Sequence, residues 1–156
     1  MNLSEVTPVP LSALPLQAYR DHLRLGRGFD DDSLQDAVLE STLLAAISAI
    51  EDRTGKALLR RQFRYRIGTW QTATVQSLPR GPVQEVQLVT LTARDGGTTV
   101  LPADGYTMLP DTFRPALQAV TSLPAVPLGG YAEIDFDAGY GAEWEDVPHS
   151  LAQAVF

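Results

Sequence analysis

At Gly55 the hydrophobic period of this chain changes, and no other feature constrains the fold as much. Before it, Leu39, Leu43, Ala46, Ile47 and Ile50 recur at three- and four-residue steps, flanked by Leu34, Val38 and Ala45. That pattern predicts a mostly buried helix over 33–54. After it, Phe63, Tyr65 and Ile67 alternate with Gln62, Arg64 and Arg66, the period of a strand with one face in the core. Gly55 itself suits a left-handed helix C-cap. At the other end of the helix, Asp32 or Ser33 can cap and Gln35 or Asp36 stands three residues on, with acids favoured by the positive end of the helix dipole.

The rest of the chain divides around that point. Residues 1–14, with Pro8 and Pro10, read as an extended arm, and Pro15 opens a short helix carrying Ala18, Tyr19, His22 and Leu23 that Gly26 closes. "GRGFDDD" connects it to the long helix. Short strands are expected near 73–78, 85–93, 98–101 and 106–109, with "RPALQAV" as one more, separated by turns such as "RDGG" and "PADG". "YAEIDFDAGYG" alternates most cleanly, with Ala132, Ile134, Phe136 and Ala138 inward and Glu133, Asp135 and Asp137 outward. In "EDVPHSLAQAVF", Val147, Leu151, Ala154 and Val155 make a helical stripe with Pro148 in the first turn. The expectation is an α+β fold in one domain, 1–156. An N-terminal helical pair (15–56) and a C-terminal helix from 146 pack together, and 60–138 form a β-rich middle, a small antiparallel sheet or sandwich.

Composition narrows the function. A chain of 156 residues buries about 70% of its unfolded surface in a single domain. Cysteine is absent, which excludes disulfide scaffolds, thiolate zinc sites and cysteine nucleophiles. The opening residues lack a basic segment followed by an apolar one, so synthesis and use in a reducing cytoplasm are expected. No apolar run is long enough to span a bilayer, so no membrane role is expected. A net charge of -7 argues against gripping nucleic acid, because that affinity comes from Lys and Arg displacing counterions.

Candidate chemistry is sparse. Glu133, Asp135 and Asp137 set three carboxylates on one strand face, as a metal site or an acid–base pair does. No His, Asn or fourth acid follows at ligand spacing, and the other reading is a charged outer face or cross-strand partners for Arg64 and Arg66. "FDDDS" lacks the spacing of a calcium loop, and "TGKA" lacks the upstream Gly and following Ser or Thr of a phosphate loop. His22 and His149, the two histidines, sit in separate helices without a sequence-adjacent orienting carboxylate. Trp70, Trp144 and Tyr140 are either core edges or interface anchors. No cofactor is called for.

Three stretches in order carry a resemblance: "LPLQAYRDHLRL" with "DDSLQDAVLESTLLAAISAIEDRTGKAL", then "LPRGPVQEVQLVTLTARDGGTTVLPADGYTML", then "IDFDAGYGAEWEDVPHSLAQAV". Together, over most of 14–155, they resemble the head-tail connector, or adaptor, family of long-tailed bacteriophages and phage-derived gene transfer agents. The resemblance implies a structural virion protein without catalysis, found in the particle neck. Such proteins form a ring, commonly of twelve subunits, below the portal protein, extend the channel through which DNA passes without specific binding, and dock a stopper or tail-completion protein. It also implies a C-terminal helix that continues past Phe156 as a partner-binding element. On this reading Arg64, Arg66, Glu133, Asp135 and Asp137 are candidates for the subunit interface or channel face, and His149, Gln153 and Phe156 for a portal-side helix. The rival reading is a small acidic hydrolase or metal-dependent enzyme, in which the strand acids and a histidine converge in a pocket.

Overall fold

The alternation after Gly55 produces two antiparallel sheets, and the stripes on either side of them produce a helical layer. Residues 2–23 and 32–156 are described by a computed structural model, the side chains of 32–34 excepted. In chain order the elements are β1 (Asn2–Glu5), a 3-10 turn at Leu11–Ala13, α1 (Leu16–His22), α2 (Asp32–Thr54), β2 (Arg61–Ile67), β3 (Val75–Ser77) and β4 (Val83–Thr92). They continue with β5 (Thr98–Val100), β6 (Tyr106–Leu109), β7 (Ala116–Ala119), β8 (Tyr131–Ala138) and α3 (His149–Val155). The Gly26 helix end and residues 26–31 of the "GRGFDDD" connector lie outside the described residues, as do the side chains on which the Asp32 or Ser33 cap and the Leu34 flank depend.

One sheet has five strands in the order β1-β2-β8-β4-β5, the other three in the order β3-β7-β6. Every inward residue predicted on β8 is fully buried, as are Phe63 and Val89 from the strands beside it. The Phe63 and Phe136 rings stack at 5.7 Å between centroids. Leu78, Leu101, Leu117 and Leu123 close the same core from the small sheet and its loops. A second core gathers Leu39, Leu43 and Ile47 of α2 with Tyr19, Leu58, Leu59, Val147 and Val155, which places α1 and α3 against α2 as expected.

Two elements differ from expectation. The arm is a strand, β1, paired along Asn2–Glu5 with Arg66–Phe63 of β2. Only Leu3 of that segment packs inward, so an edge strand of this kind leaves almost no apolar pattern to read. The long helix is half buried rather than mostly buried. Its buried positions advance in steps of four along one stripe, while Val38 and Ala45 on its far side are exposed. Gly55 ends the helix as expected, with φ +67° and its N–H bonded to the Glu51 carbonyl at 2.8 Å.

The segment between the period change and β2 stitches the two cores together. Tyr140 N–H donates to the Leu58 carbonyl at 3.2 Å and Arg60 N–H to the Gly141 carbonyl at 2.8 Å. The Ala-Gly-Tyr-Gly turn after β8 therefore crosses directly over Leu58–Arg60. On the other side, Ala57 N–H donates to the Gly81 carbonyl at 2.8 Å, which ties the Pro-Arg-Gly-Pro turn to the end of α2.

Candidate functional site

The predicted strand acids lie at the middle of the large sheet, on its outer face, and each meets an arginine. Register puts Arg64 opposite Asp135 and Arg66 opposite Glu133. Arg64 forks onto Asp135, Nε donating to Oδ1 at 2.8 Å and Nη2 to Oδ2 at 2.9 Å. Arg66 donates from Nε and Nη2 to Glu133 Oε2 at 3.2 and 3.0 Å, and its guanidinium lies 4.0 Å from the centre of the Tyr131 ring. Arg60, just before β2, reaches Asp137 in the same way at 3.3 and 3.0 Å, and Gln87 supplies that carboxylate with a further donor at 2.8 Å.

The result is a ladder of three pairs running across β2 and β8. Charge is arranged unevenly within it: the Asp135 side chain is 9% exposed and that of Arg64 46%. The forked bonds it donates to Asp135, and the charge of that carboxylate, hold the Arg64 guanidinium above even its usual high range. The face presented to solvent is thus a row of guanidiniums lying over carboxylates that are already occupied. In such a partly solvated pair one side chain is worth little: Arg64→Ala is expected to lower unfolding stability by about 0.5–1 kcal/mol, with a smaller loss at high salt. Paired denaturant titrations at two salt concentrations measure both.

A second ionic cluster lies in the interior, at residues not singled out from the sequence pattern. Arg61, 2% exposed at its side chain, meets Glu51 of α2, 3% exposed. Its Nη1 and Nη2 donate to Glu51 Oε1 and Oε2 at 3.0 and 2.6 Å, and Nη2 also donates to Glu5 of β1 at 2.6 Å. Leu58 N–H donates to Glu51 Oε1 at 2.8 Å. Burial alone pulls the Arg61 guanidinium's proton affinity down, but the bonds and charges of Glu51 and Glu5 outweigh it and hold the pKa above its ordinary value. The signal was present in the pattern, since Glu51 continues the Leu39, Leu43, Ile47 stripe and Arg61 shares the inward phase of Phe63.

Two further cations clamp loops. Arg80 bonds the Glu51 carbonyl and, at 2.5 Å, Asp52. Lys56 Nζ bonds the Thr112 carbonyl and sits 4.1 Å from the centre of the Phe113 ring. In that same loop, Asp111 Oδ1 accepts from Phe113 and Arg114 N–H at 2.8 and 2.9 Å. Those backbone bonds, with the charges of Arg114 and Lys56, depress the Asp111 pKa below its ordinary 3.8. A depressed carboxylate stabilises its loop at every pH above the unfolded value and releases it as pH falls through the folded one. The Phe113 and Arg114 amide resonances are therefore expected to titrate together below pH 3.8, and Asp111→Ala is expected to abolish that transition.

The helical candidates separate. His149 and Gln153 are four residues apart on α3 and both exposed, whereas Phe156 turns inward. It packs on Tyr19 and His22 at 5.5 Å and on Trp144 at 6.3 Å between ring centres. Phe156 therefore does not share the exposed His149 and Gln153 face. Trp144 and Tyr140 belong to the helical core's edge, and Trp70 edges the other core, its indole N–H bonded to the Pro124 carbonyl at 2.7 Å. Neither histidine approaches the ladder: His22 stacks in the helical layer and His149 faces outward. Among the described residues no group of three His, Cys, Asp or Glu side chains is placed to hold a metal. The pocket that the hydrolase reading requires is not formed by these groups.

No family model matches the chain, and no curated protein does. Solved structures do. A chain in the neck of an empty gene transfer agent particle, computed with C6 symmetry, superposes with a TM-score of 0.92 at 49% identity, over 99% of this chain and 80% of that one. A chain in the virion of a native gene transfer agent particle gives 0.89 at 49% identity, over 99% and 80%. This chain belongs to the head-tail connector family. A third member, from the neck of a native particle computed with C12 symmetry, matches with a TM-score of 0.87 at 45% identity, over 99% and 79%. The connector fold thus accounts for all but a residue or two of the chain, helical layer and both sheets included. Among the described residues no helix of this connector is long and apolar enough to cross a membrane.

Proposed function

We propose that this structural neck protein, which is not an enzyme, closes into a ring below the portal, extends the DNA channel and offers its far side to a stopper or tail-completion protein. The observation that carries the reading is the match at 49% identity over 99% of the chain to a subunit of a particle neck. Six- and twelvefold symmetry in the related necks supports a ring of twelve, since both operators divide that number. An acidic surface suits a conduit: with a net charge of -7 the ring repels phosphate rather than holding it, and a genome passes without being trapped.

In a ring, one surface must complement a different one on the neighbour. The guanidinium row of Arg60, Arg64 and Arg66 is one outward face of this chain, and it offers donors rather than acids, because Glu133, Asp135 and Asp137 are committed to their own strand partners. The exposed His149 and Gln153 edge of α3 is the proposed portal side. Cryo-electron microscopy of particles carrying this chain tests the reading: a ring of its density between capsid vertex and tail is expected. Complete necks from which the chain is absent would overturn it.

A further inference from the structure

The loop that joins β6 to β7 holds an aromatic side chain out in solvent. Phe113 is 82% exposed, yet its backbone is pinned by Asp111, and Lys56 bonds the preceding carbonyl and covers one face of the ring. Pro115 is held as well, its carbonyl accepting from Leu78 N–H at 2.9 Å. An exposed ring fixed in this way has little freedom left to lose on binding, the property of an interface anchor.

At the opposite end of the same two-stranded ribbon lies a hollow. Leu109 and Ala116 pair at the tip, Tyr106 and Ala119 at the base, and Val120 N–H closes the base on the Gly105 carbonyl at 3.0 Å. Leu101, Pro102, Tyr106, Val120 and Leu123 line a cavity of about 320 Å³ there, with Asp104 among its walls. An apolar cavity of about 150 Å³ accepts benzene, so this one has room for a phenyl ring. Val120 at its wall is 65% exposed among the described residues.

We propose that Phe113 of one copy seats in the Tyr106–Val120 hollow of the next copy around the ring, with Arg114 beside the knob set against Asp104 beside the hollow. The proposal rests on the ring reading above and names the seam. Knob and hollow lie at the two ends of one ribbon, so repeating the contact propagates head to tail, as a ring requires. The larger groove lined by Tyr65, Ile67, Trp70 and Leu78 does not serve this geometry. It adjoins the tip itself through the Leu78–Pro115 bond, so knob and groove share one face, the arrangement that suits a two-fold pairing closed at a dimer rather than a head-to-tail repeat. Charge agrees with the assignment: the tip carries Lys56 and Arg114 against the single Asp111, and the hollow carries Asp104.

The absence of cysteine makes the contact directly testable. Pro115 to Val120 is five strand steps, about 16 Å, and Phe113, two residues from Pro115, can return at most about 7 Å of that, which leaves about 9 Å. A disulfide needs Cα atoms within about 7 Å, so Phe113→Cys with Val120→Cys in one chain can bridge only between copies. Particles assembled with that double variant, once oxidised, are expected to yield a ladder of covalent multimers on a denaturing gel, collapsed by reductant. Phe113→Cys with Leu128→Cys, the latter 99% exposed elsewhere, is expected to yield none.

Arg114→Glu is expected to lower occupancy of the neck by this chain about tenfold or more, through like-charge repulsion with Asp104, and Asp104→Arg in the same chain to restore it. Rings visible in the micrographs without a ladder overturn the seam and leave the ring intact. Should the double cysteine chain stay out of necks that accept the unaltered one, the charge swap decides, and no rescue overturns the seam. Necks lacking even the unaltered chain overturn the ring reading itself.

Discussion

Arg61→Met is expected to lower the thermal midpoint by about 6–20 °C, the largest effect of any side-chain truncation outside the apolar cores. Removing one member of a buried ion pair costs about 3–5 kcal/mol because the other charge stays behind without a partner, and in a domain of this size each kcal/mol moves the midpoint by about 2–4 °C. Here the abandoned charge is that of Glu51, 3% exposed, since the Glu5 side chain, 46% exposed, can turn to water. The effect belongs to the stranded charge rather than to lost volume, since methionine fills much of the same space. Glu51→Gln added to Arg61→Met removes that charge while keeping an acceptor for Leu58 N–H, and is expected to recover more than half of the loss. If the double variant is no more stable than the single one, the guanidinium acts by packing on the Phe63 ring, 4.8 Å away.

Gly139→Ala is expected to cost about 3 kcal/mol or more and to leave little folded protein at 37 °C. Two causes add. The residue has φ +138°, where a side chain is strained, and a Cβ there would stand 2.4 Å from the backbone N and Cα of Arg60. Arg60 cannot withdraw, because its N–H is bonded to Gly141 and its side chain to Asp137. Gly96 is the control: its φ is +90° but nothing lies within 4 Å of its would-be Cβ, so Gly96→Ala is expected to cost only about 1–2 kcal/mol of conformational strain. Denaturant unfolding of the two variants separates strain from clash.

How much of this was legible depends on whether the signal was local. The burial of Phe63, Tyr65 and Ile67, and of Ala132 to Ala138 on β8, follows from the two-residue pleat, which acts within a strand and is written in the sequence. Strand order is not. That β8 sits between β2 and β4 is a choice among long-range partners that no window of residues contains. β1 escaped because Asn2, Ser4 and Glu5 are polar, as a solvent-facing edge strand permits. The far face of α2 was overread because Val38 and Ala45 are apolar without being buried. At the candidate surface, the outward acids were readable but their arginine partners only by register, and Phe113 carries no sequence mark, since exposure of a lone aromatic depends on how the loop around it is tied. Glu51 and Arg61 were readable in principle, as charges standing in apolar phase.

The position of β8 also fixes a timetable. Among the described strands it is the last made and the one that both halves of the large sheet require, for β2 and β4 each pair along it and not with one another. A nascent chain that has passed Thr92 holds two strands whose shared neighbour is still some forty residues away on the ribosome, and pairings so distant in sequence form slowly. Until Ala138 emerges, the apolar faces of both strands wait without a centre, open to the wrong partner. Slowing translation before Tyr131 is therefore expected to raise the aggregated fraction during synthesis, while the same pause once Ala138 has emerged from the ribosome is harmless. For a protein needed in many identical copies at one site, the yield of assembly-competent subunits is set by how quickly that single strand arrives.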